Sequence, residues 1–276
     1  MTDATVQGKT DVDAIAAEVL AALDASRQIA VFSARPAGLT QDDAYRASAQ
    51  LARLRKARGE TIVGRKIGFT NRTIWPEYGV YAPNWGYMTD RTVADLAATP
   101  TLAARDFVEP RIEPEIVFGF ERAPDPGMDE AALLGCVAWV AHGFEIVQSI
   151  FANWKFAPAD TAAANALHGA LLIGQRHAVA PRQAEWLRQL PAFEIDLYCN
   201  GALVDRGRAS NVLDGPVSAL RHLVQLLAAD AVNPPLAAGE IVTTGTLTRA
   251  MPVQPGETWT TLLRGIPLDG ISLRFD

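Results

Sequence analysis

The chain predicts an α+β fold built around a mixed β-sheet, and three observations carry that expectation. Short β-rich runs cluster after residue 61 instead of alternating strictly with helices, the habit of α+β domains and not of doubly wound nucleotide folds. No Gly-x-Gly-x-x-Gly follows a strand, no phosphate-cradling Gly-x-x-x-x-Gly-Lys-Ser/Thr loop precedes a helix, and no Gly-x-Ser-x-Gly elbow occurs. With 276 residues, 49% of them hydrophobic, the sequence can bury one large core and still carry a helical appendage.

The elements follow in order. Residues 11 to 26 place Ile15, Val19, Leu20 and Leu23 at helical spacing, and a second helix runs from Thr40, a candidate N-cap, through Leu51 and Leu54 to Arg58-Gly59. Residues 1–60 therefore read as a helical segment packed on a main domain of residues 61–276. Strands are expected at Thr61–Val63, Lys66–Phe69, Ile112–Phe120, Phe144–Val147, Gly169–Ile173, Phe193–Tyr198 and Glu240–Thr243. Two helices interrupt them. Asp129–Val140 has helical periodicity, and Pro216–Leu227 begins with proline at a helix start and lines up Leu220, Leu223, Leu226 and Leu227.

Charge and cysteine content exclude several classes of function. The formal net charge of −6, from 25 basic and 31 acidic residues spread along the chain, leaves no basic stripe for a phosphate backbone, so nucleic acid is not expected as a partner. Cys136 and Cys199 stand beside apolar neighbours without metal-type spacing, so each reads as a buried reduced thiol. Met1–Thr10 lacks an apolar signal core, and no apolar run reaches membrane-spanning length, which points to a cytoplasmic protein with no membrane partner.

The chemistry is concentrated in three glutamates. Glu113 and Glu115 lie in Arg111-Ile-Glu-Pro-Glu-Ile-Val-Phe118, and Glu145 is embedded in the apolar run Phe144–Val147. Taken alone, the alternation of Glu109, Arg111, Glu113 and Glu115 with Pro110, Ile112, Pro114 and Ile116 reads as the solvated face of an edge strand, where proline is tolerated. Glu145 changes the balance. A carboxylate among large apolar side chains is costly to desolvate unless a proton, a cation or a metal compensates it, and a self-repelling cluster calls for a divalent ion such as Mg²⁺ or Mn²⁺.

Other residues qualify as candidates. Lys66, in Gly64-Arg-Lys-Ile-Gly68, sits where glycine lets the backbone approach a ligand and could anchor an anion or move a proton, against the plainer alternative of a surface lysine. Thr244-Gly245-Thr246 offers hydroxyls and loosened backbone N–H groups for a small carboxylate, and Asp90 reads either as an acid–base group or as a turn cap. The aromatic stretch Tyr81–Tyr87 reads as a lid or as packing. A rival constellation of His142, Glu145 and His168 would hold iron by two histidines and one carboxylate, but it leaves Glu113 and Glu115 without a purpose.

These residues together carry a resemblance. Lys66–Thr70, Pro110–Ile116, Phe144–Val147, Asp160-Thr161 with Asn165 and Gly169, and Gly239–Thr246 leading to Val253–Glu257 occur in the order seen in the hydratase and decarboxylase branch of the fumarylacetoacetate hydrolase superfamily, whose enzymes act on 2-hydroxypentadienoate (2-keto-4-pentenoate) and its dioate relatives. The resemblance implies a rolled mixed β-structure with peripheral helices, residues 61–276 as the catalytic domain, and a homo-oligomer. It implies Glu113, Glu115 and Glu145 as ligands of Mg²⁺ or Mn²⁺, Lys66 as a catalytic or substrate-anchoring lysine, and Thr244, Gly245 and Thr246 as part of the carboxylate-binding wall; beside it, Asp90 is expected as the catalytic partner of Lys66 and His168 as a further substrate-binding residue. Three positions depart from the branch: Ala164 where an acid usually precedes the asparagine, Asp214-Gly215-Pro216 in place of Gly-His-Pro, and His168 itself.

The implied reaction is metal-dependent addition of water to a 2-hydroxydienoate or 2-oxo-enoic acid, giving a 4-hydroxy-2-oxo acid. The alternatives are decarboxylation of a 2-oxo-enedioate on the same site, and a non-catalytic relative that binds a 2-oxo acid.

Overall fold

The computed structural model describes residues 10–276. Helix α1 (Val12–Asp24) is capped by the Asp11 carboxylate, which accepts from Ala14 N–H at 3.0 Å, and α2 (Gln41–Ala57) by Thr40 Oγ1, which accepts from Asp43 N–H at 3.1 Å. There follow β1 (Ile62–Gly68), α3 (Trp75–Tyr78), β2 (Asn84–Thr89), β3 (Val93–Asp95), β4 (Thr101–Leu102), β5 (Arg111–Phe120), α4 (Glu130–Leu134), β6 (Val137–Val147) and α5 (Pro158–Ala163). The chain continues through β7 (His168–Ile173), β8 (His177–Ala178), α6 (Gln183–Gln189), β9 (Glu194–Cys199), β10 (Ala202–Arg208), α7 (Pro216–Ala229), β11 (Ile241–Thr243), β12 (Met251–Pro252), β13 (Thr258–Arg264) and β14 (Ser272–Phe275).

Both sheets are mixed. The larger runs β2-β1-β11-β5-β6-β7-β3, with β12 added to β5 and β8 to β6, and is parallel at β1–β11 and β3–β7. The smaller runs β10-β9-β13-β14-β4 and is parallel only at β14–β4. Because strand side chains alternate between faces, the long β5–β6 pair divides the molecule. Ile112, Phe144 and Ile146 point at the smaller sheet and pack with Leu197, Trp259, Leu273 and Phe275. Val117 and Ala141 point the other way and pack with Met88, Leu171 and Ile173. Glu113, Glu115 and Glu145 stand on this second face, with Glu113 directly opposite Glu145.

The N-terminal helices close one side. Ile15, Val19, Ala47 and Leu51 form a cluster with Phe32, Phe151, Ala162 and Ala163. Buried Asp160 of α5 ties the connecting segment down by accepting from Ser33 N–H at 2.9 Å, Ser33 Oγ–H at 2.6 Å and Ala157 N–H at 2.8 Å. Leu51→Ala in this cluster would cost about 2–5 kcal/mol.

Three expectations change. Residues 129–140 are not one helix: α4 ends at Leu134 and Gly135, and the β-branched, aromatic stretch from Val137 extends β6. β5 is a central strand and not an edge, and Pro114 is tolerated there for a local reason. Its side of the strand faces the loop between β11 and β12, where Pro114 C=O accepts from Leu247 N–H at 3.0 Å and no ladder N–H is required. Cys136 is buried as expected, whereas Cys199 is half-buried; both are free thiols.

Candidate metal centre

The three carboxylates meet. One oxygen from each of Glu113, Glu115 and Glu145 lies within 4.8 Å of the others. Lys66 comes from β1 with Thr243 of β11 beside it, and its Nζ stands 3.2 Å from Glu145 Oε2. The neighbouring Arg65 takes the opposite face, where its guanidinium stacks on Tyr87 at 4.2 Å. Lys66 is only 3% exposed, so the surface-lysine alternative is excluded.

Each carboxylate is held differently. Glu115 Oε2 accepts from Thr243 Oγ–H and, at 2.7 Å, from Gly245 N–H, while its Oε1 has no hydrogen-bond partner among the described residues. A Cβ at Gly245 would strike Thr70 Oγ1, so the close approach of this turn needs glycine. Glu145 Oε1 is bound by His168 Nδ1 at 2.7 Å, and His168 Nε2 meets Thr92 Oγ1 at 2.9 Å. Glu145 Oε2 has the Lys66 ammonium beside it and no hydrogen bond among the described residues.

Electrostatics follow from burial. Desolvation pushes Glu113 up to about 7 and Glu115 well above the carboxylate range, with the neighbouring acids adding to both. Burial acts the same way on Glu145, but Lys66 and His168 together outweigh it and hold Glu145 below its ordinary value. Burial would lower Lys66, yet Glu145, Glu113 and Glu115 hold it above, as an ammonium. Burial lowers His168 and keeps it neutral, so Nδ1–H donates to Glu145 and Nε2 accepts from the Thr92 hydroxyl. Fully ionised, three carboxylates would exceed the one ammonium by two negative charges, a deficit that protons on Glu115 and Glu113 relieve when no metal is bound. That deficit, with an orphaned oxygen on Glu115, fits a divalent cation on oxygen ligands.

Other candidates fall elsewhere. Asp90 caps an exposed turn by accepting from Thr61 N–H at 2.9 Å and does not enter the site. Three donors of the 244–246 turn are already engaged: Thr244 Oγ–H on Ile116 C=O, Thr246 Oγ–H on Thr248 C=O, and Gly245 N–H on Glu115. Gly245 and Thr246 still line the cavity beside Glu113 and Lys66. His168 lies behind Glu145 and not in the substrate wall. His142 cannot join Glu145, since the two stand three positions apart on one strand, an odd spacing that turns them to opposite faces. Its ring binds Glu115 C=O and Thr261 Oγ1, both at 2.9 Å, and burial pushes it down to about 4. In the aromatic stretch, Trp85 and Tyr87 are core residues and Tyr81 is exposed. Asp214 pairs with Arg72 at the surface, and Ala164 ends α5.

A model of the fumarylacetoacetate (FAA) hydrolase C-terminal family matches residues 66–268, which include every residue of this centre. The chain belongs to the fumarylacetoacetate hydrolase family. Within that family it is similar to 2-hydroxyhexa-2,4-dienoate hydratase of Comamonas testosteroni, 32% identical over 246 residues that cover 89% of this chain and 90% of that protein. It is also similar to 4-oxalocrotonate decarboxylase of Pseudomonas sp. (strain CF600), 31% identical over 86% of each. Among solved structures, 4-oxalocrotonate decarboxylase from Pseudomonas putida G7, complexed with magnesium and adipate, superposes with a TM-score of 0.87 at 26% identity, covering 98% of this chain and all of that one.

Sequence reasoning missed the rest of the cavity in this family member. Phe69, Tyr78 and Trp154 form an aromatic wall, with Tyr78 stacked on Phe156 at 6.1 Å. Ala166 and Leu167 line another side. They belong to a left-handed run, Asn165, Ala166 and Leu167 at φ 58°, 51° and 64°, a conformation that costs non-glycine residues roughly 1–2 kcal/mol each. The Asn165 amide holds it by bracketing Tyr87 N–H at 2.7 Å and Tyr87 C=O at 2.8 Å. The asparagine was the only signal, since alanine and leucine give no hint of positive φ.

Proposed function

We propose that this protein is a divalent-metal-dependent lyase that adds water to a 2-hydroxydienoate, by way of its 2-oxo-3-enoate tautomer, to give a 4-hydroxy-2-oxo acid. The observation that carries it is the convergence of three buried carboxylates, Glu113, Glu115 and Glu145, on the one ammonium of Lys66, which leaves a two-charge deficit when all three ionise. Those three glutamates would hold Mg²⁺ or Mn²⁺, which when bound supplies Lewis-acid polarisation of a 2-oxo acid's chelating oxygens.

The protein's own groups do the remainder. Lys66 enters protonated, so its Nζ acts as an acid: it delivers a proton to C5 of the dienol and recovers one from the 2-hydroxyl as the 2-oxo-3-enoate forms, after which water adds its hydroxyl to C4 and its other hydrogen to C3. His168 and Gly245 hold Glu145 and Glu115 in place. The aromatic wall limits entry of further water, and the 2-oxo acid is the small-molecule partner.

The same carboxylate cluster would serve a second reading, decarboxylation of a 2-oxo-enedioate, which the 0.87 TM-score to a decarboxylase favours. A cytoplasmic homo-oligomer is part of the proposal by family resemblance. The test is to supply 2-hydroxypenta-2,4-dienoate and 2-oxohex-3-enedioate separately with Mg²⁺ and follow the conjugated chromophore together with CO₂. Chromophore loss without gas is the expected result; gas from the dioate as the principal activity would select the second reading, and silence with both would end the proposal.

A further inference from the structure

A substrate of the lyase function proposed above, on which this inference rests, is too large for the cavity as it stands. The cavity encloses about 30 Å³, against the roughly 150 Å³ of a cavity that binds benzene. A five-carbon 2-hydroxydienoate has more heavy atoms than benzene, so a wall must give way.

Most of the walls are fixed. Lys66 and Gly68 are laced into β1, Glu113 into β5 and Val147 into β6 by strand ladders, and the Asn165 amide pins the run that carries Ala166 and Leu167. The turn Ala152–Trp154 is held otherwise. Asn153 and Trp154 stand at φ 58° and 57°, and Glu109, on which they lean, at 45°, a left-handed backbone that tryptophan or glutamate adopts only against a steric cost. The bonds that keep the turn there lie at the surface. Asn153 N–H donates to Glu109 Oε1 at 3.2 Å, Gln28 Nε2–H donates to the same oxygen at 2.8 Å, and Trp154 Nε1–H donates to Glu109 C=O at 3.1 Å. Glu109, Gln28 and Asn153 are exposed, so water competes for these bonds and the turn opens at low cost.

Behind the turn lies room. Trp154 lines the cavity on one side and, on the other, a surface cleft of about 410 Å³ that also carries Glu109, Arg111 and Gln254. Displacing Trp154 joins the two into one space that reaches from solvent to Glu113. Arg111, whose guanidinium lies 4.2 Å from the Trp154 ring centre, is the single cation lining the cleft among the described residues and gives an entering carboxylate its first partner.

We propose that Trp154 is the gate between the cleft and the three glutamates, and that Glu109 is the positioning residue that holds the gate shut. Opening breaks the Glu109 bonds and releases the strained backbone; closing over a bound 2-oxo acid remakes them. Because the latch is made both with the site empty and with it filled, weakening it speeds entry and exit by the same factor and leaves affinity nearly unchanged.

The test follows 2-oxopentanoate, an unreactive 2-oxo acid, with the full-length protein and Mg²⁺, and reads its on- and off-rates from the nuclear magnetic resonance line shape of its methyl group. Glu109→Ala should raise both rates roughly 3–10-fold, the worth of one exposed hydrogen bond, with Kd changed by less than about twofold. Glu109→Gln, which keeps the acceptor, should restore them. Trp154→Ala removes the gate itself, so adding Glu109→Ala to it should change neither rate further. Unchanged rates in a folded Glu109→Ala protein overturn the proposal, and so does a rise in the off-rate alone, which would make Glu109 a support of the bound state. A further rise of both rates in the double variant overturns it as well, and would make the Tyr78 turn the moving wall. If 2-hydroxypenta-2,4-dienoate is hydrated while any of these contrary results holds, the gate alone falls. Absence of 2-oxopentanoate binding to the wild-type protein also overturns the gate, and the lyase function falls with it only if the dienoate is left unchanged too.

Discussion

The two faces of the β5–β6 pair are equally dry and chemically opposite. Toward the smaller sheet, the polar intruder His142 has a partner on each ring nitrogen. Toward the curl of the larger sheet, three carboxylates share one lysine, and Glu115 keeps an oxygen with no partner among the described residues. Burial alone therefore does not mark a functional site. What separates the faces is whether the buried polar groups are satisfied by the protein itself.

The sharpest way to break that contrast is to remove charge from the unsatisfied face. Glu145→Gln should lower Mg²⁺-dependent turnover by on the order of 10³-fold, the worth of several kcal/mol of Lewis-acid stabilisation, while circular dichroism stays native. Lys66→Met should keep metal binding and lose roughly 10²-fold in kcat, in the range of acid–base contributions; unchanged turnover would make Lys66 a bystander. The two histidines then test the faces against each other. His168→Leu should weaken Mg²⁺ about 10–100-fold, as for other residues that orient a ligand. His142→Leu should leave metal affinity alone and cost about 1–3 kcal/mol in urea denaturation, because Thr261 and the Glu115 carbonyl lose their partner.

The smallest effect is a pH slope. Burial raises Glu113 from its ordinary 4.5 to about 7 and raises Glu115 as well, so the folded, metal-free chain binds more protons than the unfolded chain and loses stability as pH climbs through that range. Between 4.5 and 6.5 the buried neutral His142 and His168 act in the opposite sense, because the unfolded chain protonates them and the folded one does not. The decline should therefore emerge from pH 6.5 upward in denaturation with a chelator present. Saturating Mg²⁺ should remove it, since the metal takes the place of the protons. A flat profile without metal would mean that the carboxylates are not desolvated.

Much of this was legible in the sequence, for reasons that can be named. Glu145 stood out because nothing around it was polar. Glu113 and Glu115, two apart, had to share a strand face, and Lys66 sat between glycines on a β-run. What could not be read depended on long-range register. His168 faces Glu145's side because the β6–β7 ladder slips between Ile146 and Val147, so its role in holding Glu145 has no local signature. The Gly245 N–H is aimed at Glu115 across 130 residues. Asp90 reads locally either as an acid–base group or as a turn cap, and it accepts from Thr61 N–H as a cap. The aromatic wall was invisible because Tyr78 and Trp154 converge from two short helical turns far apart in the chain, and the strand half of 129–140 was hidden by a periodicity that Gly135 interrupts.

The central claim is that Glu113, Glu115 and Glu145 together grip one divalent ion. Calorimetric titration of Mg²⁺ into the metal-free wild-type protein and into Glu145→Gln tests it most directly. One ion per chain for the wild type, with protons released on binding and affinity rising with pH, and no comparable site in the variant, is the predicted result. Equal Mg²⁺ binding by the two proteins would contradict the account.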